Sequence, residues 1–192
     1  VLGEVERLIA LAHALLTLAR LSGERTVMEM KPLELEPIVR EVIGDLDVLA
    51  QDRAITLTLA VSPVPEVLGE AGRLKQVLIN LLDNALRHTP QGGEIAVTLA
   101  ATESTVRLAV KDTGPGIASE HLPHLFEPFY RADRARARGD GGTGLGLAIV
   151  KEIIEAHGGE VRVESEVGKG TVFTVLHPVI GRPSSMPFPE TV

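Results

Sequence analysis

Residues 70–88, EAGRLKQVLINLLDNALRH, carry the pattern that decides the fold. Asn80, Asn84 and Arg87 lie on one strip of the predicted helix, and His88 lies at the border of that strip. Because asparagine is a poor helix former, two of them one turn apart need a reason. A carboxamide oxygen can ligate Mg²⁺ and its NH₂ group can reach a phosphate, although a solvated polar face is the simpler explanation of an isolated pair. The adjoining face is apolar and must be core: Leu74, Val77, Leu78, Leu81, Leu82 and Ala85.

The composition is that of an ordinary globular protein. The 192 residues are 44% hydrophobic and 23% charged, and the net charge of −7 argues against a general nucleic-acid binder. The absence of cysteine excludes disulfides and thiolate metal sites. No apolar run is long enough to span a bilayer and no signal-peptide pattern is present, so we expect a cytoplasmic location, free or within a membrane-anchored parent. The chain starts at Val1 inside a helical pattern, and we expect a fragment of a longer protein.

Hydrophobic periodicity divides the chain into three parts. An apolar helical seam over 4–21 predicts a lone N-terminal helix, which either packs on its own domain or, as we favour, meets another chain and would allow a homodimer. Residues 27–177 mix strands and helices without strict alternation. This predicts an α+β fold, a two-layer α/β sandwich whose mixed sheet is covered on one face by helices. Residues 178–192, with four prolines and two serines, predict a flexible tail.

The predicted elements of the middle part follow from period-two and period-3.6 patterns. The irregular stretch over 113–142 is too long to be only a connection between two elements of a compact domain. The predicted strands are 27–35, 55–59, 66–68, 94–101, 105–112, 160–166 and 170–177, and the predicted helices are 36–52, 70–88 and 145–157.

A second candidate site begins at Asp112, which extends an inward row of strand residues. A carboxylate that ends a buried row is costly unless something donates to it, and an adenine amino group is a natural donor. Gly114 and Gly116 permit close backbone approach in the turn up to Ile117. A turn-capping aspartate is the commoner alternative. The row consists of Val106, Leu108, Val110 and Asp112.

A third candidate site is the glycine-rich run that opens the helix at 145–157. Residues 139–144 match G-x-G-x-x-G, but the arginine-rich residues before them cannot be a buried strand, so a dinucleotide-binding loop is excluded. Residues 168–170 lack the pattern of a P-loop. A glycine loop at a helix start still offers free N–H groups to a phosphate, with a flexible linker as the alternative.

Together these motifs resemble the catalytic, ATP-binding domain of sensor histidine kinases, within the Bergerat-fold (GHKL) ATPases. The resemblance covers about residues 28–177, and it makes 1–23 similar to the second helix of a dimerisation and phosphoacceptor hairpin. It implies that ATP lies between the asparagine helix and a lid formed by 115–142. The matching segments are Asn80–Asn84 with Arg87 and His88, Asp112–Gly116, Phe126–Arg131 and Gly142–Leu147.

Carried over by position, the resemblance implies a role for each matching residue. Asn84 would bind Mg²⁺, while Asn80, Arg87 and His88 would contact phosphates, although an aromatic residue often replaces His88 in the family. Arg131 would contact the γ-phosphate and share catalysis with Asn80. Asp112 would bind the adenine amine. The other implied nucleotide-binding residues are Gly114, Gly116, Ile117, Gly142, Thr143, Gly144, Leu145 and Gly146. Phe126, Phe129 and Tyr130 in the lid either anchor it or form a small satellite core.

The residue at position 80 separates two chemistries. Hydrolysing ATPases of the wider family carry a glutamate one turn before the Mg²⁺-binding asparagine, and Asn80 cannot take a proton in its place. The resemblance therefore implies slow hydrolysis and transfer of the γ-phosphoryl to a histidine of a dimerisation domain, then to a response regulator. No histidine followed by an acidic residue occurs in this sequence. A nucleotide-gated interaction module and a GHKL-type ATPase are the alternatives.

Overall fold

A computed structural model of the chain describes residues 28–132 and 143–180. Its main body is one five-stranded sheet with three helices, and a short 3₁₀ turn at Leu122–His124 interrupts the long connection after the fifth strand. The elements are β1 (Lys31–Leu33), α1 (Leu35–Asp52), β2 (Thr56–Val61), β3 (Val67–Gly69), α2 (Ala71–His88), β4 (Glu94–Ala101), β5 (Thr105–Asp112), α3 (Gly146–Ala156), β6 (Glu160–Glu166) and β7 (Gly170–Pro178).

The five-stranded sheet is mixed, with the strand order β2-β4-β5-β7-β6. Only β2 and β4 run parallel; the other neighbours are antiparallel. Asp112, the last residue of β5, stands opposite Ile95 of β4 and Thr171 of β7, and Thr171 stands opposite Ser165 of β6. These four residues form a row across the strands at the end of the sheet, and the candidate site lies along this cross-strand row.

The core lies between the helices and one face of the sheet. The leucine face of α2 is fully buried, as its helical spacing predicts; Leu81 and Leu82 are 0% exposed. Alternate residues of the strands meet it, among them Val97 and Phe173 at 1% exposure. Burial of each such side chain contributes roughly 1.5–3 kcal/mol. The same packing aligns the asparagine strip of α2 along one edge of the core.

The predicted α+β class, with a mixed sheet covered by helices on one face, is confirmed. The predicted strand at 27–35 is wrong in extent, because only Lys31–Leu33 pairs with the equally short β3 and α1 begins at Leu35. The fold also extends beyond residue 177, since Val179 pairs with Val67. The predicted N-terminal helix and residues 181–192 of the predicted tail lie outside the described residues. Across 28–132 and 143–180, none of the helices has the length and apolar character needed to cross a membrane.

Candidate nucleotide-binding site

The middle of α2 contacts the first residue of α3. Asn80 is half-buried, and its Nδ2 donates to the carbonyl oxygen of Gly146 at 3.3 Å. A Cβ added to Gly146 would lie 3.9 Å from Cγ of Asn80, an ordinary van der Waals distance. The asparagine strip and the glycine-rich helix start, which are far apart in the sequence, therefore form one wall.

The end of α2 contacts the turn after β5. A Cβ at Gly114 would lie 2.9 Å from the carbonyl oxygen of His88, so the turn requires glycine there. Asn84 lies one helical turn from both Asn80 and His88, between the two contacts. Its side chain is half-buried and makes no hydrogen bond to any residue within 28–132 or 143–180. The amide oxygen of Asn84 is a ligand of the kind that suits a hard cation such as Mg²⁺.

Asp112 is a buried carboxylate at the end of the inward row. It is 3% exposed, and burial raises its pKa above the usual value, while the N–H groups of Gly114 and Thr171 and the charge of His88 act in the opposite direction. The Gly114 N–H donates to Oδ1 at 2.8 Å. Asp112 therefore continues the buried row and also caps the turn, while its binding of adenine stays a prediction.

The turn after Asp112 is held by the hairpin that joins β6 to β7. Gly116 adopts φ +70°, and a Cβ there would lie 2.0 Å from the carbonyl oxygen of Glu166. The Gly168 N–H donates to the carbonyl oxygen of Pro115 at 2.8 Å, and the Ile117 N–H donates to Oγ of Ser165 at 2.8 Å. The backbone that would face a base is thus fixed from both sides.

The N-terminus of α3 lies beside Asn80, and its first N–H groups have no partner among residues 28–132 and 143–180. The first N–H groups of an α-helix have no partner within the helix, and no side chain caps this one from its N-cap residue, Leu145. The Leu145 N–H itself donates to Oγ1 of Thr143 at 3.3 Å. Gly144 adopts φ +71° and its carbonyl oxygen accepts from the Phe129 N–H at 2.9 Å. The helix start can therefore receive an anion, and the lid segment is joined to it.

The three lid aromatics have different environments. Phe126 packs edge-on against Phe173 of the core, with ring centroids 6.3 Å apart. The hydroxyl of Tyr130 hydrogen-bonds Nδ1 of His121 at 2.8 Å. Phe129 is 55% exposed at φ +65°. Phe126 thus anchors the lid to the main core, whereas Phe129 faces solvent.

The structure brings together most of the predicted site residues. Gly142 lies outside the described residues. Arg87 pairs with Asp83 on its own helix at 2.8 Å, and Arg131 is half-buried near the end of the first described range. Sequence reasoning missed Thr171, whose N–H reaches Asp112. The strand pattern of 170–177 contained a signal, because the polar Thr171 stands where an apolar residue would continue the row with Phe173.

The sequence model of the "histidine kinase-, DNA gyrase B-, and HSP90-like ATPase" family matches residues 69–180, more than half of the chain. The chain belongs to this family. The matched region contains the strip on α2, the turn after β5 and the start of α3.

Several histidine kinases are similar to this chain. The sensor protein SrrB of Staphylococcus aureus is 42% identical over 178 residues, which make up 93% of this chain and 30% of SrrB. Full-length ShkA, solved in complex with AMPPNP, superposes with a TM-score of 0.80 at 33% identity, over 92% of this chain and 37% of ShkA. The catalytic domain of histidine kinase ThkA superposes with a TM-score of 0.70 at 33% identity, over 79% of this chain and 96% of that domain. ThkA has also been solved in complex with the response regulator TrrA.

The chain spans about a third of the length of the curated relatives that it matches, 30% in the case of SrrB. It corresponds in extent to a catalytic domain, as the 96% coverage of the ThkA domain indicates. The fold and the family are therefore established for the part of the chain that matches.

Proposed function

We propose that this chain is the ATP-binding catalytic portion of a two-component sensor histidine kinase. It transfers the γ-phosphoryl of ATP to a histidine of a dimerisation domain, from which a response regulator receives it. The observation that carries this proposal is the amide at position 80, which donates to Gly146, the first residue of α3, at 3.3 Å. An amide there can position a phosphate, but it cannot deprotonate an attacking water.

Each wall of the site would hold one end of the nucleotide. Asp112 and the glycine turn receive the base, because a buried carboxylate gains most from a new donor. The N-terminus of α3 holds the phosphates. Asn84 would supply an oxygen ligand to Mg²⁺, which when bound offsets negative charge on the phosphates. Arg131 is our candidate for the γ-phosphate, since a guanidinium can form two parallel hydrogen bonds with it.

The transfer needs partners outside the described residues. The phosphorus–oxygen bond to ADP breaks and a bond to an imidazole nitrogen forms. We infer that the acceptor histidine belongs to a helical hairpin whose second helix resembles residues 1–23, and that 4–21 supports a homodimer. The ThkA–TrrA complex supports a response regulator as the final acceptor. A cytoplasmic location fits a protein that uses ATP.

Reconstitution tests the proposal directly. We expect this chain, mixed with Mg²⁺, γ-labelled ATP and a separate dimerisation hairpin that bears the acceptor histidine, to form an acid-labile, alkali-stable phosphohistidine on the hairpin. Asn84→Ala should remove the Mg²⁺ dependence of ATP binding and abolish the label. Gln51→Ala, which removes an exposed amide at the end of α1, is the matched control and should leave both unchanged.

Two outcomes would favour the alternatives. ATP binding without any phosphohistidine on the hairpin would favour a nucleotide-gated interaction module. Brisk release of phosphate without the hairpin would favour a GHKL-type ATPase.

A further inference from the structure

Ser165 joins two parts of the candidate base site through one hydroxyl group. It belongs to the row Asp112, Thr171, Ser165, in which residues that stand directly opposite each other share a face of the sheet. Its Oγ receives the Ile117 N–H at 2.8 Å and lies 2.9 Å from both the carbonyl oxygen of Gly170 and Oγ1 of Thr171.

The direction of each hydrogen bond follows from the number of protons. A serine hydroxyl has one proton and two lone pairs, and a carbonyl oxygen can only accept. The single proton of Ser165 therefore goes to Gly170, and the two lone pairs receive the Ile117 N–H and the hydroxyl proton of Thr171. The hydroxyl of Thr171 has then used its proton and presents only lone pairs.

The Thr171 hydroxyl, which stands beside Asp112, consequently accepts hydrogen bonds and has no proton left to donate. The ionised Asp112 carboxylate is also an acceptor only. Two acceptors match the amino group at C6 of adenine, and they oppose the carbonyl oxygen that a 6-oxopurine carries at the same position. A buried polar site discriminates strongly between a ligand that donates a hydrogen bond at a given position and one that accepts there.

We propose that Ser165 is a positioning residue which, by taking the Thr171 proton, leaves the hydroxyl beside Asp112 as an acceptor only and so favours a 6-aminopurine over a 6-oxopurine. This inference rests on the proposed function, because it takes the base to lie at Asp112. Ser165 acts through Thr171 and through the Ile117 N–H, so it contributes to base selection without contacting the base.

The experiment compares the binding of ATP with that of ITP, which carries a 6-oxo group in place of the 6-amino group. Dissociation constants are measured by calorimetry with Mg²⁺ for the wild-type chain, Ser165→Ala and Ser165→Thr. Ser62→Ala, at an exposed serine after β2, is the matched control. Thermal unfolding without nucleotide checks that each variant is folded.

We expect the wild-type chain to bind ATP at least about tenfold more tightly than ITP. Ser165→Ala frees the Thr171 proton to donate to a 6-oxo group. The ratio of the ITP dissociation constant to the ATP dissociation constant should therefore fall by about tenfold, which is the effect of one hydrogen bond. Ser165→Thr restores the hydroxyl and should restore the ratio. Thr171→Val, which removes the same hydroxyl from the wall and keeps a β-branched strand residue, should also narrow the ratio, and it provides the test should Ser165→Ala not fold.

The outcomes separate this inference from the proposed function. Equal losses for ATP and ITP in Ser165→Ala, or an unchanged ratio, would overturn the role of Ser165 and leave the kinase proposal standing. Equal binding of both nucleotides by the wild-type chain would overturn it as well. A wild-type chain that binds neither nucleotide would overturn the proposed function, and the inference with it.

Discussion

Gly116→Ala perturbs the point at which the turn after Asp112 meets the β6–β7 hairpin. The new Cβ would lie 2.0 Å from the carbonyl oxygen of Glu166, whereas real Cβ contacts are essentially never shorter than 3.0 Å, so one backbone must move by about 1 Å. The φ of +70° adds about 1–2 kcal/mol of strain for a residue with a side chain. With overpacking of about 1–3 kcal/mol, the variant should lose about 2–5 kcal/mol of unfolding free energy.

Gly168→Ala is the matched control in the facing hairpin. Gly168 has φ +84°, but a Cβ there would have nothing within 4 Å, so only the backbone strain of about 1–2 kcal/mol applies. Its N–H can still donate to Pro115. Urea unfolding measures both variants, and each kcal/mol should appear as about 2–4 °C in a thermal melt of a domain of this size.

The two variants should also differ in ATP binding. A shift of about 1 Å in the wall of the base site should weaken ATP about 10–100-fold in Gly116→Ala, by analogy with the cost of misplaced catalytic groups, whereas Gly168→Ala should stay close to the wild type. Calorimetry with a non-hydrolysable ATP analogue measures this. Equal losses of stability and affinity in the two variants would refute the reasoning, because close approach to Glu166 would then not be what requires glycine.

Two further predictions concern the core and the lid. Burial lowers the pKa of both His157 and His177, so these residues are neutral in the folded chain, and the unfolded chain takes up more protons below pH 6.5. The contribution of these histidines to the unfolding free energy should be complete above that pH and should fall on acidification by up to about 1.4 kcal/mol per pH unit for each histidine. His177→Phe should remove one of the two contributions, as measured by urea unfolding between pH 7.5 and 5. An unchanged dependence of the unfolding free energy on pH in this variant would contradict the assignment. Phe126→Leu loses the ring pair with Phe173 and should cost about 0.5–1.5 kcal/mol. Phe129→Leu, at a ring that is 55% exposed, should cost less than about 0.5 kcal/mol, and similar losses in the two variants would refute the anchoring role of Phe126.

Local patterns predicted most of the elements because their periods are properties of neighbouring residues. The leucines of α2 recur at helical spacing and are buried together, and the row that ends at Asp112 alternates as a strand and is buried as a row. The exception was the predicted strand at 27–35, whose length depended on β3, a partner of only three residues. A strand cannot extend beyond the partner that supplies its hydrogen bonds.

The candidate site was predictable in its parts and less so in its connections. Asn80, Asn84 and Asp112 were singled out because each breaks a local rule, as a poor helix former or as a charge in an apolar row. Ser165 breaks no such rule, and Thr171 interrupts its apolar pattern only with a hydroxyl residue, which is common in strands. Their importance arises from the row that they share with Asp112, which exists only once β5, β7 and β6 pair in register.

The sequence by itself determined the class of fold, the helix that carries both asparagines, the glycine turn and the family to which these motifs are similar. Such features are encoded within a few consecutive residues, where side-chain period and backbone freedom act directly. Only the tertiary structure decided that Asn80 reaches Gly146, that Phe126 rather than Phe129 packs into the core, and that the Ser165 and Thr171 hydroxyls are hydrogen-bonded beside Asp112. Those outcomes depend on contacts between distant segments, whose distances and hydrogen-bond directions exist only after the sheet and helices have packed together.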